Sequence, residues 1–181
     1  IYNSSLDLKQ YPWRMSAVFN ANVALSHKPR AIVYNSVKAL NDHKSSGFKD
    51  RDSVIVNNGV DTALFRPDPT ARQAARAKLG LSPDARVAII VARVDPQKDW
   101  ATVLRGLRLV DGLVTLAVGP TTAKLEPQPG LMLIGAHMTM QDLYPAADVF
   151  ILPSAFGEGT SVAMCEAMSC GLPVIVTDVG D

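Results

Sequence analysis

The chain has 181 residues, 48% of them apolar and 19% charged, and its 18 Lys and Arg against 17 Asp and Glu leave a formal net charge of +1. That composition describes a globular protein able to bury a core without disulfides or a structural metal, and it offers no global basic field for nucleic acid. No apolar run approaches the roughly 20 residues of a membrane-spanning helix, and the polar start lacks the apolar stretch of a secretion signal.

In chain order, residues 1–30 give a mostly helical or irregular signal. Ala31–Asn35, a helix over Ser36–Ser46, and Ser53–Asn57 then read as the βαβ unit that closes a preceding domain. Asn57-Asn58-Gly59-Val60-Asp61, followed by Arg66-Pro67-Asp68-Pro69, is a strong turn signal. Charge changes sign across it: residues 1–56 hold eight Lys/Arg and four Asp, net +4, and residues 57–181 hold ten Lys/Arg and thirteen Asp/Glu, net −3. A domain boundary is expected there, with residues 1–60 ending one domain and its hinge and residues 61–181 forming a second.

Beyond the boundary, apolar runs at Val87–Ala92, Leu113–Val118, Leu131–Ile134, Val149–Leu152 and Val174–Val176 are continuous rather than alternating, as in strands buried on both faces. Helical patterns fall between them at Ala71–Leu79, Asp99–Val110, Thr139–Ala147 and Thr160–Ser169. Asp99 and Thr139 suit N-caps, and Gly80 and Gly171 suit positions just past helix ends. The alternation predicts an α/β fold with a parallel sheet. Cys165 and Cys170, five apart in one predicted helix, fit neither a zinc knuckle nor a disulfide framework and read as reduced thiols of a cytosolic protein. The start at Ile1 and the end just after a strand lead to the expectation of a chain truncated at both ends.

Open parallel sheets hold ligands beyond the carboxyl ends of their strands, which here are Arg93–Lys98, Gly119-Pro120, Gly135-Ala136-His137, Pro153–Gly159 and Thr177-Asp178. No phosphate loop of the G-x-x-x-x-G-K-[ST] type occurs, and Gly157-x-Gly159 has Val162 where a dinucleotide loop needs its third glycine. Of only three glutamates, Glu158 and Glu166 bracket Gly159–Cys165 and are the only charges between Gly157 and Val176, and Glu166 sits in the helix predicted over Thr160–Ser169. That helix is otherwise apolar and is expected to be buried on most sides, where a carboxylate is costly unless something binds it. On a continuous helix the two would stand about 12 Å apart, too far to act on one bond. With Glu158 in a loop before the helix, the pair would grip two parts of an elongated ligand, and the amides of Gly159, Thr160 and Ser161 would face an anion. An equally weighted alternative has Glu158 solvated and Glu166 bonded to an internal polar group. Arg93 and Lys98 after the first strand can neutralise a diphosphate, the alternative being two surface cations beside a turn. His27, His43 and His137 show no metal-ligand spacing, and Met132, Met138, Met140, Met164 and Met168 read as core filler.

Four motifs in order carry a resemblance: Asn58-Gly-Val-Asp with Phe65 and Pro67; Ala92-Arg93-Val-Asp-Pro-Gln-Lys98; Asp148-Val-Phe-Ile-Leu-Pro-Ser154; and Glu158-Gly-x7-Glu166-Ala-Met with Gly171-x-Pro173-Val. Over residues 31–181 the chain resembles the retaining GT-B glycosyltransferases of family 4, the group 1 transferases. The resemblance implies a Rossmann-like second domain holding a UDP- or GDP-sugar, transfer with retention to a glycan or lipid-linked saccharide, and no essential metal or other cofactor. Arg93 and Lys98 would hold the diphosphate, Glu158 the donor sugar and Glu166 the ribose. Gly159, Thr160, Ser161 and Val162 would give amides to sugar and phosphate, and Gly135, His137 and Met138 would lie near the base. Thr160-Ser161 departs from the Phe-Gly of many members. Most of the acceptor domain would precede Ile1 and the last helices would follow Asp181, leaving half a site. The full protein would be cytoplasmic, with peripheral association at the inner face of the membrane. A GT-B epimerase or phosphorylase, and a noncatalytic nucleotide-sugar-binding module, are the alternatives. The E-x7-E spacing with Arg93 and Lys98 argues against the epimerase and the phosphorylase.

Overall fold

The computed structural model describes Lys9 and residues 12–49, 52–136 and 139–180. They form two compact units. One holds the chain up to Gly59 with Ser154–Ser161 and the stretch from Asp178, and the other holds Val60–Pro153 and Val162–Thr177.

In the first unit, α1 (Trp13–Leu25) precedes the parallel pair β1 (Ile32–Tyr34) and β2 (Ser53–Ile55), joined through α2 (Val37–Ser45). The Ser36 hydroxyl accepts the Ala39 N–H at 3.0 Å and starts α2. His43 is a satisfied core residue: its Nδ1–H donates to the Ala39 carbonyl at 2.7 Å, and the rings of Phe19, Tyr34 and Phe48 surround it.

The second unit contains α3 (Pro69–Lys78), β3 (Arg86–Val91), α4 (Trp100–Leu107), β4 (Leu113–Val118), β5 (Leu131–Gly135), β6 (Val149–Leu152), α5 (Val162–Ser169) and β7 (Val174–Val176). Its five strands are all parallel, in the order β5-β4-β3-β6-β7. Side chains alternate between two cores, with Val87, Ile89, Leu116, Val118, Phe150 and Leu152 on one face and Ile90, Ala92 and Ala117 with Trp100 and Leu125 on the other. Burial of both faces is why these strands read as unbroken apolar runs. Gly80 and Gly171, at φ +67° and +81°, close α3 and α5 with paired bonds in which Leu81 and Leu172 donate back to Arg76 and Ala167.

Three helix expectations need correction. Thr139–Ala147 is two short 3-10 turns, Met140–Asp142 and Tyr144–Ala146, because Pro145 has no N–H to give and its ring blocks the preceding turn of an α-helix. Thr139, expected as a cap, makes no capping bond. The helix expected from Thr160 starts at Val162, since the Thr160 carbonyl is taken by the Asn58 side chain at 2.7 Å. It is also half-buried rather than enclosed, with Val162 and Met168 exposed. Helix α4 stops at Leu107, short of Val110, but Asp99 caps it as expected, accepting the Thr102 N–H.

The amino-terminal edge of the sheet is tied by charge. Arg76, 4% exposed, donates to the Ala146 carbonyl, to both Asp148 oxygens at 3.0 and 3.1 Å, and to the Ser82 and Pro83 carbonyls. Arg72, one turn earlier on α3, donates to the Pro145 and Ala147 carbonyls and to Asp148. Asp148 also accepts the Val87 N–H at 2.8 Å. Burial pushes the Asp148 carboxyl up, but the Val87 amide and the two guanidiniums outweigh it and hold it below its ordinary value. A carboxylate so lowered contributes stability above its unfolded-state pKa and loses it as pH falls through the folded-state value. Asp148→Asn should therefore cost about 1–3 kcal/mol at neutral pH, where it strands the buried Arg76. The gap from wild type should narrow below about pH 4. Urea titrations at several pH values check this, and a constant gap down to acid pH would contradict it.

Candidate functional site

Strand order sets where a ligand can enter the second unit. From β3 the chain steps outward through β4 to β5, then returns to β6 on the other side of β3. In open parallel sheets ligands bind beyond the carboxyl ends of the strands where the order reverses, which in this sheet falls between β3 and β6. Concavities of about 340 and 640 Å³ lie instead at the amino-terminal edge, among Asp148 and Pro173 and among Gly112 and Gly130.

At the carboxyl end of β3 stands the loop Arg93–Asp99. Arg93 is 63% exposed and pairs with Asp95 in the same loop at 3.1 Å, an ion pair worth little in water, so its guanidinium is available to an anion. Lys98 ends a 3-10 turn, Pro96–Lys98, and is half-buried. Uncharged groups hold the loop. The Trp100 indole N–H donates to the Arg93 carbonyl at 2.9 Å, and the Val94 N–H donates to the Thr121 hydroxyl at 2.7 Å. Asp99 adopts the left-handed conformation, φ 35°, which turns the chain from the 3-10 turn into α4. Gly119, ending β4 at φ +154°, lies so close that a Cβ would stand 2.2 Å from the Ala92 carbonyl oxygen. Gly135 closes β5 at φ +74°, its N–H on the Thr122 hydroxyl and its carbonyl on the Gly119 N–H.

Glu166 projects from the middle of α5 and accepts the Tyr144 hydroxyl on Oε2 at 2.8 Å. Tyr144 is fully buried, and burial first, then the hydrogen bond to Glu166 and its charge, push the phenol far above its ordinary pKa. Burial and the Glu166 charge also raise the Cys170 thiol, in spite of the Arg66 backbone. The internal polar partner weighed for Glu166 thus exists.

Glu158 lies in the loop before α5, which the structure groups with the first unit. The buried Ser154 hydroxyl donates to Glu158 Oε1. Asn58 bonds the Thr160 carbonyl, and the Thr160 hydroxyl donates to the Asn35 carbonyl at 3.3 Å. A Cβ on Gly180 would meet the Glu158 side chain at 2.8 Å. Arg93, Lys98, Gly135, Val162 and Glu166 belong to the second unit, whereas Glu158, Gly159, Thr160 and Ser161 belong to the first. His137 and Met138 lie outside the described residues. Among the described residues no group of three or more His, Cys, Asp or Glu stands where it could hold a metal ion, and no helix is long and apolar enough to cross a membrane.

Residues 85–181 match the family model described as "Glycosyl transferases group 1". The chain belongs to the group 1 glycosyltransferases. It is 34% identical over 142 residues to the D-inositol 3-phosphate glycosyltransferase of Mycobacterium tuberculosis, a match covering 70% of this chain and 29% of that protein. Its fold resembles that of Anabaena HepE, solved in complex with UDP-glucose, at TM-score 0.81 and 20% identity over 94% of this chain and 51% of that one. The sucrose-phosphate synthase of Thermosynechococcus elongatus is similar at TM-score 0.80 and 20% identity, covering 97% and 47%. The chain thus spans about half of these solved structures, and its match spans under a third of the curated relative. Both likenesses bear out the Rossmann-like GT-B fold.

In this group 1 member the charged residues singled out by the sequence are braced by groups that the sequence did not mark. Thr121 and Tyr144 carry no local signal for a role, because each bonds a residue more than twenty positions away that only folding brings near, while Trp100 and Ser154 reach Arg93 and Glu158 close by in the chain. Thr121→Val should leave the Val94 N–H without its acceptor, at about 1–3 kcal/mol. Amide hydrogen exchange should then quicken at Val94 more than at Ile89 in the sheet centre, and unchanged protection at Val94 would refute this.

Proposed function

We propose that this chain forms the nucleotide-sugar-holding part of a retaining glycosyltransferase that moves a sugar from a UDP- or GDP-sugar to a glycan or lipid-linked saccharide. The observation that carries the reading is the exposed, braced Arg93–Lys98 loop at the carboxyl end of β3, where the strand order reverses. The bound UDP-glucose of HepE supports a nucleotide-sugar donor for the shared fold.

In this reading Arg93 and Lys98 neutralise the donor diphosphate, Glu158 contacts the donor sugar and Glu166 the ribose diol. Backbone amides from Gly159 to Val162 meet sugar and phosphate, and the segment from Gly135 to Met138 meets the base. Residues 1–60 close an acceptor domain and residues 61–181 hold the donor. The bond from the anomeric carbon to the diphosphate breaks, its electron pair leaves with the nucleoside diphosphate, and the acceptor oxygen forms the new bond on the same face as its proton passes to the departing phosphate. Negative charge therefore grows on the phosphate beside Arg93 and Lys98. Turnover requires the acceptor to be held in the same geometry, and its contacts are assigned to the part of the longer relatives that this chain does not span.

Titration of the full-length protein with UDP-, GDP- and ADP-sugars tests the donor assignment, and no saturable binding of any of them would sink it. Lys98→Ala should lower kcat as well as weaken donor binding, by about 2–4 kcal/mol in kcat/KM, since its partner gains charge in the transition state. Glu166→Gln should mainly raise donor KM, because ribose contacts are alike before and during reaction. Steady-state kinetics with varied donor decide between them: an unchanged kcat in Lys98→Ala, or a normal KM with collapsed kcat in Glu166→Gln, would reverse the roles.

A further inference from the structure

Resting on the reading of Glu166 as the ribose-binding carboxylate, we infer that Tyr144 is its positioning residue, a buried phenol that sets which way the carboxylate presents its second oxygen to the nucleotide.

Tyr144 sits in the second of the two 3-10 turns before β6, and its ring is wedged edge-on against Phe65, with centroids 6.0 Å apart, and tilted against Phe150 at 6.4 Å. These neighbours leave the ring one orientation, and its hydroxyl ends 2.8 Å from Glu166 Oε2 and 3.2 Å from the Ala163 carbonyl. Both oxygens lie on α5 one turn apart, so the phenol grips the helix and the carboxylate together. Among the described residues it is the only side chain hydrogen-bonded to Glu166.

The last torsion of a glutamate is broad and rotates freely in water. One bond from an immobile donor to Oε2 removes that freedom and fixes the carboxylate plane, and Oε1 then points one way. A vicinal diol needs two acceptor positions in a set plane, which a carboxylate supplies only when its plane is set. The phenol also remains a donor through the pH range of the folded protein, because burial holds its proton on. A carboxylate placed near an aromatic core for stability alone would be an expensive choice. Here the core is used as a rigid mount for a group that works at its surface.

Tyr144→Phe keeps the ring and its packing and removes only the hydroxyl. In the full-length protein its Kd for UDP or GDP, whichever the wild type binds, should rise about tenfold, the usual worth of a hydrogen bond to a charged group. Its preference for that nucleotide over the 2′,3′-dideoxy form should fall by the same factor. Glu166→Gln should abolish that preference, and adding Tyr144→Phe to it should change nothing further. Glu166→Asp keeps the charge but withdraws it from the hydroxyl, so it should resemble Tyr144→Phe, which keeps the test alive if the phenylalanine variant does not fold. If Glu166→Gln loses the preference while Tyr144→Phe and Glu166→Asp retain it, or if the two losses simply add, the positioning role is wrong and the ribose reading stands. If Glu166→Gln keeps the wild-type preference, or the wild type binds neither nucleotide, the ribose reading falls and this inference with it.

Discussion

The Asp148 carboxylate occupies the point where the sheet of the second unit changes direction. It accepts the Val87 N–H on β3 while its own N–H donates to the Val87 carbonyl, so one residue locks the register of β6 on β3 from the amino-terminal edge. Arg76 and Arg72, a turn apart on α3, reach the same carboxylate and the carbonyls of Pro145, Ala146 and Ala147. Buried guanidinium is tolerable only when its donors are met, and Arg76 meets them with five bonds. In doing so it holds the turn that carries Tyr144. The spacing of the strand ends at the far edge follows from this lock, since parallel strands paired in fixed register place their carboxyl ends together.

Two kinds of residue divide labour within each unit. Charged groups able to meet a ligand, Arg93 above all, stand at strand ends in contact with solvent. Uncharged or buried groups behind them remove their freedom: the Trp100 indole and Thr121 hydroxyl hold the Arg93 loop, Tyr144 holds Glu166, and Ser154 holds Glu158. Gly119 lets β4 pass the end of β3 at a distance no side chain permits. These hydrogen bonds form on folding, so the segments they brace are ordered in the folded chain itself.

The two glutamates of the E-x7-E motif are separated by more than sequence. Glu166 lies on α5 in the second unit, and Glu158 lies in a loop grouped with the first, where Asn58 and the Asn35 carbonyl hold Thr160. The loop begins at the end of β6 and ends where α5 starts, so eight residues link two environments.

The fold class was legible because period is a local property. Five continuous apolar runs became five parallel strands within a residue or two, and Ser36, Asp99, Gly80 and Gly171 marked helix ends because caps act through neighbours in the chain. Arg93, Lys98, Glu158 and Glu166 stood out as charges at strand ends or in an apolar stretch. The helix wrongly expected over Thr139–Ala147 ignored Pro145, a local signal outweighed by the apolar pattern around it. Strand order was beyond local reading, as was the pairing of Tyr144 with Glu166 and Thr121 with Val94. Each partnership joins residues whose separation in sequence says nothing of their distance in space, and only the packing of the sheet between its two cores brings them within a hydrogen bond. Residue types and periods in the sequence alone determined which elements form and where charged residues fall at the strand ends. The tertiary structure alone decided how those charges are held, because hydrogen-bond geometry is settled by the packed neighbours that each side chain meets.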